Sequence, residues 1–215
     1  MKKSILTILA ILMILVLTGC AKTPDNSVDP MPDPGNNTEI DDPAQTDDPQ
    51  SESGKVLVVY FSWSGHLHSM AGWIADETGG DLVRVTAKEA YPESYNDTAN
   101  RAKKEQDDGT RPPINVDLTA EQFVQYDTVY FGFPVWWYDL PMSMWTFLES
   151  YDFSGKTVYP FFSHEGSSSG ANSLTTLKDL AKGADVRTDV ALSIRGGKVD
   201  SSEKDVRDWV KGLNK

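Results

Sequence analysis

The chain has 215 residues and a formal net charge of −12, from 32 acidic against 20 basic side chains. A charge of this sign argues against nucleic acid as a partner. The single cysteine excludes an internal disulfide, so any fold must stand on its hydrophobic core.

Lys2 and Lys3 precede an apolar run of 13 residues from Ile5 to Leu17, in which only Thr7 is mildly polar. A bilayer span needs roughly 20 residues, so the run has the length of the apolar region of an export signal. It ends in Leu17-Thr18-Gly19-Cys20, which resembles the lipobox of bacterial lipoproteins. The resemblance implies cleavage before Cys20 and a lipid on its sulfur, with an ordinary cleaved signal peptide as the alternative. Residues 1–20 are thus expected to be a lipoprotein signal peptide. The mature protein is expected to be exported and anchored to the extracytoplasmic face of a bacterial membrane through Cys20.

Residues 21–54 hold six of the twelve prolines and nine acidic residues against Lys22 alone. So polar a stretch cannot bury enough surface to offset its ordering entropy and reads as a disordered acidic, Pro-rich tether. The remaining residues, 55–215, are long enough for one ordinary domain.

Within that domain, apolar runs at 55–61, 127–133, 156–163 and 189–194 are continuous rather than alternating, as in strands covered on both faces. The run at 81–86 alternates and suits an edge strand. Helical spacing recurs at Leu67, Ala71 and Ile74, at Met144, Trp145 and Leu148, at Leu174, Leu177 and Ala181, and at Val206, Trp209, Val210 and Leu213. Trp73, Trp145 and Trp209 are read as core packing. Residues 91–118 are polar and poorly periodic, and read as a partial helix plus loop. The alternation of strand and helix predicts an α/β, doubly wound parallel sheet with helices on both faces. Ligands of such sheets sit beyond the carboxyl ends of the strands, so the chemistry is sought in the segments that follow each strand.

After the first strand comes Ser62-Trp63-Ser64-Gly65-His66-Leu67-His68-Ser69, running into a helix. Free N–H groups at a helix start, with hydroxyls beside them, make an anion site. The segment is neither a Walker loop nor a GxGxxG fingerprint. It carries no Lys or Arg, so a phosphate there is expected to be held by dipoles rather than by a cation. After the third strand, Pro134-Val135-Trp136-Trp137-Tyr138-Asp139 places three aromatics in succession. They cannot all be core, and a planar aromatic ligand, a partner interface or a loop folded on itself would account for them. After the fourth strand, Ser163-His164-Glu165-Gly166-Ser167-Ser168-Ser169-Gly170 contains a GxSxG pattern. A hydrolase with that motif needs a later histidine, and His66, His68 and His164 all precede Ser168. His66 and His68 are two apart and cannot share a helix face, which argues against a metal pair. Asp139 and Glu165 read as solvated, and His164 as a ring-edge or plain loop histidine.

Ser-Trp-Ser-Gly, Phe-Pro-Val-Trp-Trp and Ser-His-Glu-Gly-Ser, in this order and spacing, resemble the flavodoxin-like family of FMN domains over residues 55–213. The resemblance implies five parallel strands in the order 2-1-3-4-5. It implies FMN as cofactor, with Ser62, Trp63, Ser64, Gly65, His66 and Leu67 around the phosphate. Pro134, Val135, Trp136, Trp137 and Tyr138 would lie along the isoalloxazine, and Ser163, His164, Glu165, Gly166 and Ser168 at its polar edge. Two positions depart from the family pattern: His66-Leu67 replaces the usual Asn-Thr, and Tyr138 stands where a small residue is common. The implied function is electron transfer at the membrane, as a carrier or a small flavin oxidoreductase, with a redox protein or a quinone as partner. No nicotinamide signature is present, which favours a carrier. The alternative is a surface binding module that keeps the fold without flavin redox chemistry.

Overall fold

The computed structural model describes residues 54–166 and 169–213. The expected signal peptide, Cys20, the tether before Gly54, and Ser168 lie outside the described residues. In chain order the elements are β1 (Lys55–Phe61), α1 (His66–Thr78), β2 (Asp81–Ala87), α2 (Tyr95–Asp107), β3 (Ile114–Asn115), α3 (Ala120–Val124) and β4 (Tyr126–Pro134). They continue with α4 (Met142–Ser150), β5 (Thr157–His164), α5 (Ala171–Leu180), β6 (Asp185–Val186), β7 (Leu192–Arg195) and α6 (Glu203–Leu213).

The sheet runs β3-β2-β1-β4-β5-β6, with β7 also paired to β5. Its long strands are parallel and follow the expected 2-1-3-4-5 order once the two-residue strands β3 and β6 are set aside. β1 and β4 are central because almost every side chain from Leu57 to Phe61 and from Val129 to Phe133 is apolar and buried. β2 is not quite the edge, since β3 pairs with its last two residues in the antiparallel sense.

The far edge of the sheet is divided. β6 pairs with Thr157 and Val158, whereas β7 pairs with β5 from Phe161 onward. Pro160 lies between them and supplies the physical reason. The Val158 carbonyl accepts from Arg187 N–H, so residue 160, two further along, presents its backbone to the same side. Proline has no N–H to give there, and a continuous ladder cannot form. The strand expected at 189–194 accordingly starts at Leu192, with residues 188–190 coiled in a 3-10 turn.

Two apolar clusters form, one on each face. Leu57, Val59, Phe61, Val129, Phe131 and Phe133 pack with Phe123, Met144, Phe147 and Leu177 from α3, α4 and α5. Val58, Tyr60 and Tyr130 pack with Met70 and Ile74 of α1 and with Val206 and Val210 of α6. Trp145 flanks the first cluster and Trp73 and Trp209 the second, as expected of core tryptophans. Gly132 makes this second layer possible, because a Cβ there would sit 2.3 Å from the Phe161 ring.

Candidate functional site

The three segments expected to carry the chemistry leave the carboxyl ends of β1, β4 and β5, which are neighbours in the sheet. In the first, Ser62 Oγ accepts the Gly65 N–H at 3.1 Å and closes a tight turn. Gly65 has φ 97°, a conformation that a side chain would resist. Its carbonyl then accepts from His68 and Ser69 N–H and starts α1. The N–H groups of His66 and Leu67 open the helix with no intrahelical acceptor, at the positive end of its dipole. Ser62 itself is buried, and the Leu67 side chain lies in the core, so Leu67 can offer a ligand only its backbone. Ser64 and His66 face the cleft. One cation does reach this segment: Arg84, from β2, donates to the Ser62 carbonyl at 2.9 Å. It braces the backbone from behind and is not among the residues lining the cleft.

The three successive aromatics have three different fates. Trp136 and Asp139 exchange backbone hydrogen bonds of 2.9 and 3.0 Å, and the residues between them, Trp137 and Tyr138, have φ of 48° and 68°. This is a type I′ turn, which normally takes Asn and Gly because both central residues are left-handed. Placing bulky side chains there costs roughly 1–2 kcal/mol each. Trp136 turns inward and meets the rings of Phe61 and Tyr91 edge-on, at 5.4 and 5.0 Å. Trp137 folds against α2: its indole N–H donates to the Ala99 carbonyl at 2.8 Å and its own carbonyl accepts from Gln106. Even so, Trp137 is 43% exposed and Tyr138 is 55% exposed. Asp139, expected to be solvated, is instead the lock of this turn. Its carboxylate accepts from Leu140 N–H and from the Thr176 hydroxyl of α5.

The adjoining wall is α2, through Tyr95, Thr98, Ala99 and Ala102, and the sequence did not mark it as part of a site. Its weak periodicity has a structural cause, because one flank looks into an open cleft rather than onto the sheet. The signal that was available is the Ser94 N-cap, whose hydroxyl accepts from Asp97 N–H. Trp63 donates to the Pro92 carbonyl at 2.9 Å and fixes the chain just ahead of the helix. The Tyr91 hydroxyl donates to Glu105, and Arg101 pairs with the same carboxylate. Burial, and then the hydrogen bond to Glu105, pushes the Tyr91 phenol far above its ordinary range.

In the third segment Ser163 is buried, and His164 and Glu165 line the cleft. Gly166 takes φ 96° and its N–H donates to His164 Nδ1 at 2.9 Å. Glu165 and His66 approach each other over Gly196, where a Cβ would lie 2.3 Å from Glu165 Oε1 and 2.8 Å from His66 Nδ1. Gly196 is therefore the close-approach position that lets the first and third segments meet.

Together these residues enclose a cleft of about 490 Å³. Trp63, Ser64, His66, Pro134, Val135, Trp136, Trp137, Tyr138, Ser163, His164 and Glu165 all line it. Ser62, Gly65, Leu67 and Gly166 shape the turns behind it and do not line it. Tyr95, at 72% exposure, is a third accessible aromatic on the same opening. The arrangement suits a planar aromatic group between aromatic walls, with an anion at the α1 terminus and polar atoms from residues 163–166 at another side.

A family model described as Flavodoxin matches residues 55–213. A protein from Bacteroides uniformis classed as a flavoprotein is 33% identical, with a TM-score of 0.63, over 74% of this chain and 98% of its own. A second, from Bacteroides eggerthii, is 30% identical, with a TM-score of 0.61, over 75% of this chain and 98% of its own. A flavoprotein of Lactobacillus acidophilus solved in complex with FMN is 25% identical, with a TM-score of 0.55, over 69% of this chain and 98% of its own. No curated protein matches the chain.

Proposed function

This chain belongs to the flavodoxin family, and we propose that its cleft holds FMN and that the protein transfers electrons at a membrane surface. The observation that carries this reading is the cleft at the ends of β1, β4 and β5, with three exposed aromatics on its walls and a helix N-terminus in its lining. The first-turn N–H groups of α1 and the Ser64 hydroxyl would hold the phosphate. The ring would lie along Trp136, Trp137 and Tyr138, and its polar edge would meet residues 163–166. The Trp137–Ala99 and Asp139–Thr176 bonds tie the aromatic turn to α2 and α5. FMN supplies reversible uptake of one or two electrons, and the protein supplies binding, orientation and electrostatics.

The lipobox-like Leu17-Thr18-Gly19-Cys20 supports export and a lipid anchor at Cys20. Confinement to the membrane surface makes a membrane-associated redox protein or a quinone the fitting partner. A simple carrier is favoured over a complete reductase because the sequence carries no nicotinamide signature. Titrating the purified chain into FMN and following flavin fluorescence and the visible spectrum tests the cofactor. Quenching with a perturbed spectrum is expected, and free-flavin spectra throughout would sink the reading. NADH or NADPH alone should leave the bound flavin unbleached if the protein is a carrier. Cys20→Ser should release the protein from membranes.

A further inference from the structure

The His164 ring carries more information than its place in the lining. A neutral imidazole has one nitrogen that donates and one that accepts. Here the Gly166 N–H points at Nδ1 from 2.9 Å, so Nδ1 must be the acceptor. The proton of the neutral ring is then on Nε2, on the far side of the ring from the turn. Gly166 can deliver this N–H because its φ is 96°, in the left-handed region that favours glycine. The ring is backed by Phe162, with centroids 6.3 Å apart, and it lines the cleft. Among the described residues no acceptor is bonded to Nε2. The turn after β5 therefore selects one tautomer of a ring that lines the cleft.

We propose that His164 is a side-chain donor to the polar edge of the bound flavin, fixed in its donating tautomer by the Gly166 N–H. The proposal rests on the FMN reading of the cleft and adds to it a residue, an atom and a direction of hydrogen bonding. A backbone-only edge would read any planar heterocycle with acceptors. A fixed imidazole N–H adds a requirement for an acceptor at that spot, and it favours ligand states with more negative charge there. His164 is thus both a specificity determinant and a means of raising the flavin's midpoint potential.

Two substitutions separate the donor from the turn. His164→Gln keeps an N–H donor at about the reach of Nε2, whereas His164→Asn keeps an acceptor for Gly166 N–H and has nothing that reaches the cleft. In the full chain, His164→Gln should bind FMN within about twofold of the wild type, and His164→Asn should bind about tenfold more weakly. The loss in His164→Asn should be the same for riboflavin as for FMN, because the ring edge is common to both. Its midpoint potential should fall. In the wild type, nitrogen-15 NMR of the imidazole should place the proton on Nε2. Equal losses in both variants, a loss confined to FMN, or a proton on Nδ1 would each overturn the proposal. A wild type that binds neither flavin removes the FMN reading itself, an outcome distinct from a wild type that binds while His164→Asn matches it.

Discussion

The two ends of the sheet use polar groups in opposite ways. At the amino end Lys55, Asp81 and Tyr126 bond one another: the Lys55 ammonium pairs with Asp81 at 3.0 Å and the Tyr126 hydroxyl donates to the same carboxylate at 2.6 Å. The Lys156 ammonium, nearly buried, donates to the Val124 and Tyr126 carbonyls and closes off the end of α3. At the carboxyl end, the N–H groups of the first turn of α1, the Ser64 side chain and the His164 ring are set about a cleft. The wall there includes three exposed aromatics, of which Trp137 and Tyr138 are left-handed and Tyr95 is the third. The amino end is built for stability. The carboxyl end holds strain and exposed apolar surface that only a ligand makes worthwhile.

The largest effect on stability should come from the amino end. Lys156→Ala leaves buried carbonyls without their donor and should lower unfolding free energy by about 2–3 kcal/mol. Urea denaturation should show this loss, and flavin affinity should stay unchanged; a weakened flavin complex would mean that the two ends are coupled. The opposite trade is expected at the cleft. Tyr138→Asn puts a residue that tolerates the left-handed region where a half-exposed tyrosine now sits, and should stabilise the flavin-free protein by about 1 kcal/mol. The same substitution should weaken FMN binding, read by fluorescence titration. A destabilised variant would show that the positive φ is not a cost.

The smallest effect belongs to Asp81. The Tyr126 hydroxyl, and then Lys55, hold its carboxyl below the ordinary 3.8. A depressed folded-state value means that the contribution is present above that ordinary value and disappears as pH falls through the lower, folded one. Urea midpoints of the wild type and Asp81→Asn should therefore differ slightly at pH 7 and converge as the pH is taken below 3.8. A difference that persists in acid would trace the effect to packing instead. Both side chains of the pair are about half exposed, which keeps the expected difference small.

Much of this was legible one segment at a time. Continuous apolar character marked β1, β4 and β5, because strands covered on both faces have no polar side to show. The cleft loops were legible because each follows such a strand and carries residues that a core would not use. Asp139 was misread as solvated because its partner, Thr176, is 37 residues away on α5. Arg84 was missed for a similar reason, since it reaches Ser62 only after β2 has paired with β1. The interruption of the outer edge was written in Pro160, but its meaning depends on which side of β5 that residue faces.

By itself the sequence determined the alternation of strand and helix, the position of the loops, and the chemistry of each loop taken singly. Those are matters of local periodicity and residue type, and neighbours along the chain are enough to set them. Tertiary structure alone decided that α2 lines the cleft beside the aromatic turn, that Gly196 lets Glu165 and His66 meet, and which way the successive aromatics at 136–138 point. These depend on the pairing of strands distant in sequence and on the Trp137–Ala99 bond, and no local pattern encodes such contacts.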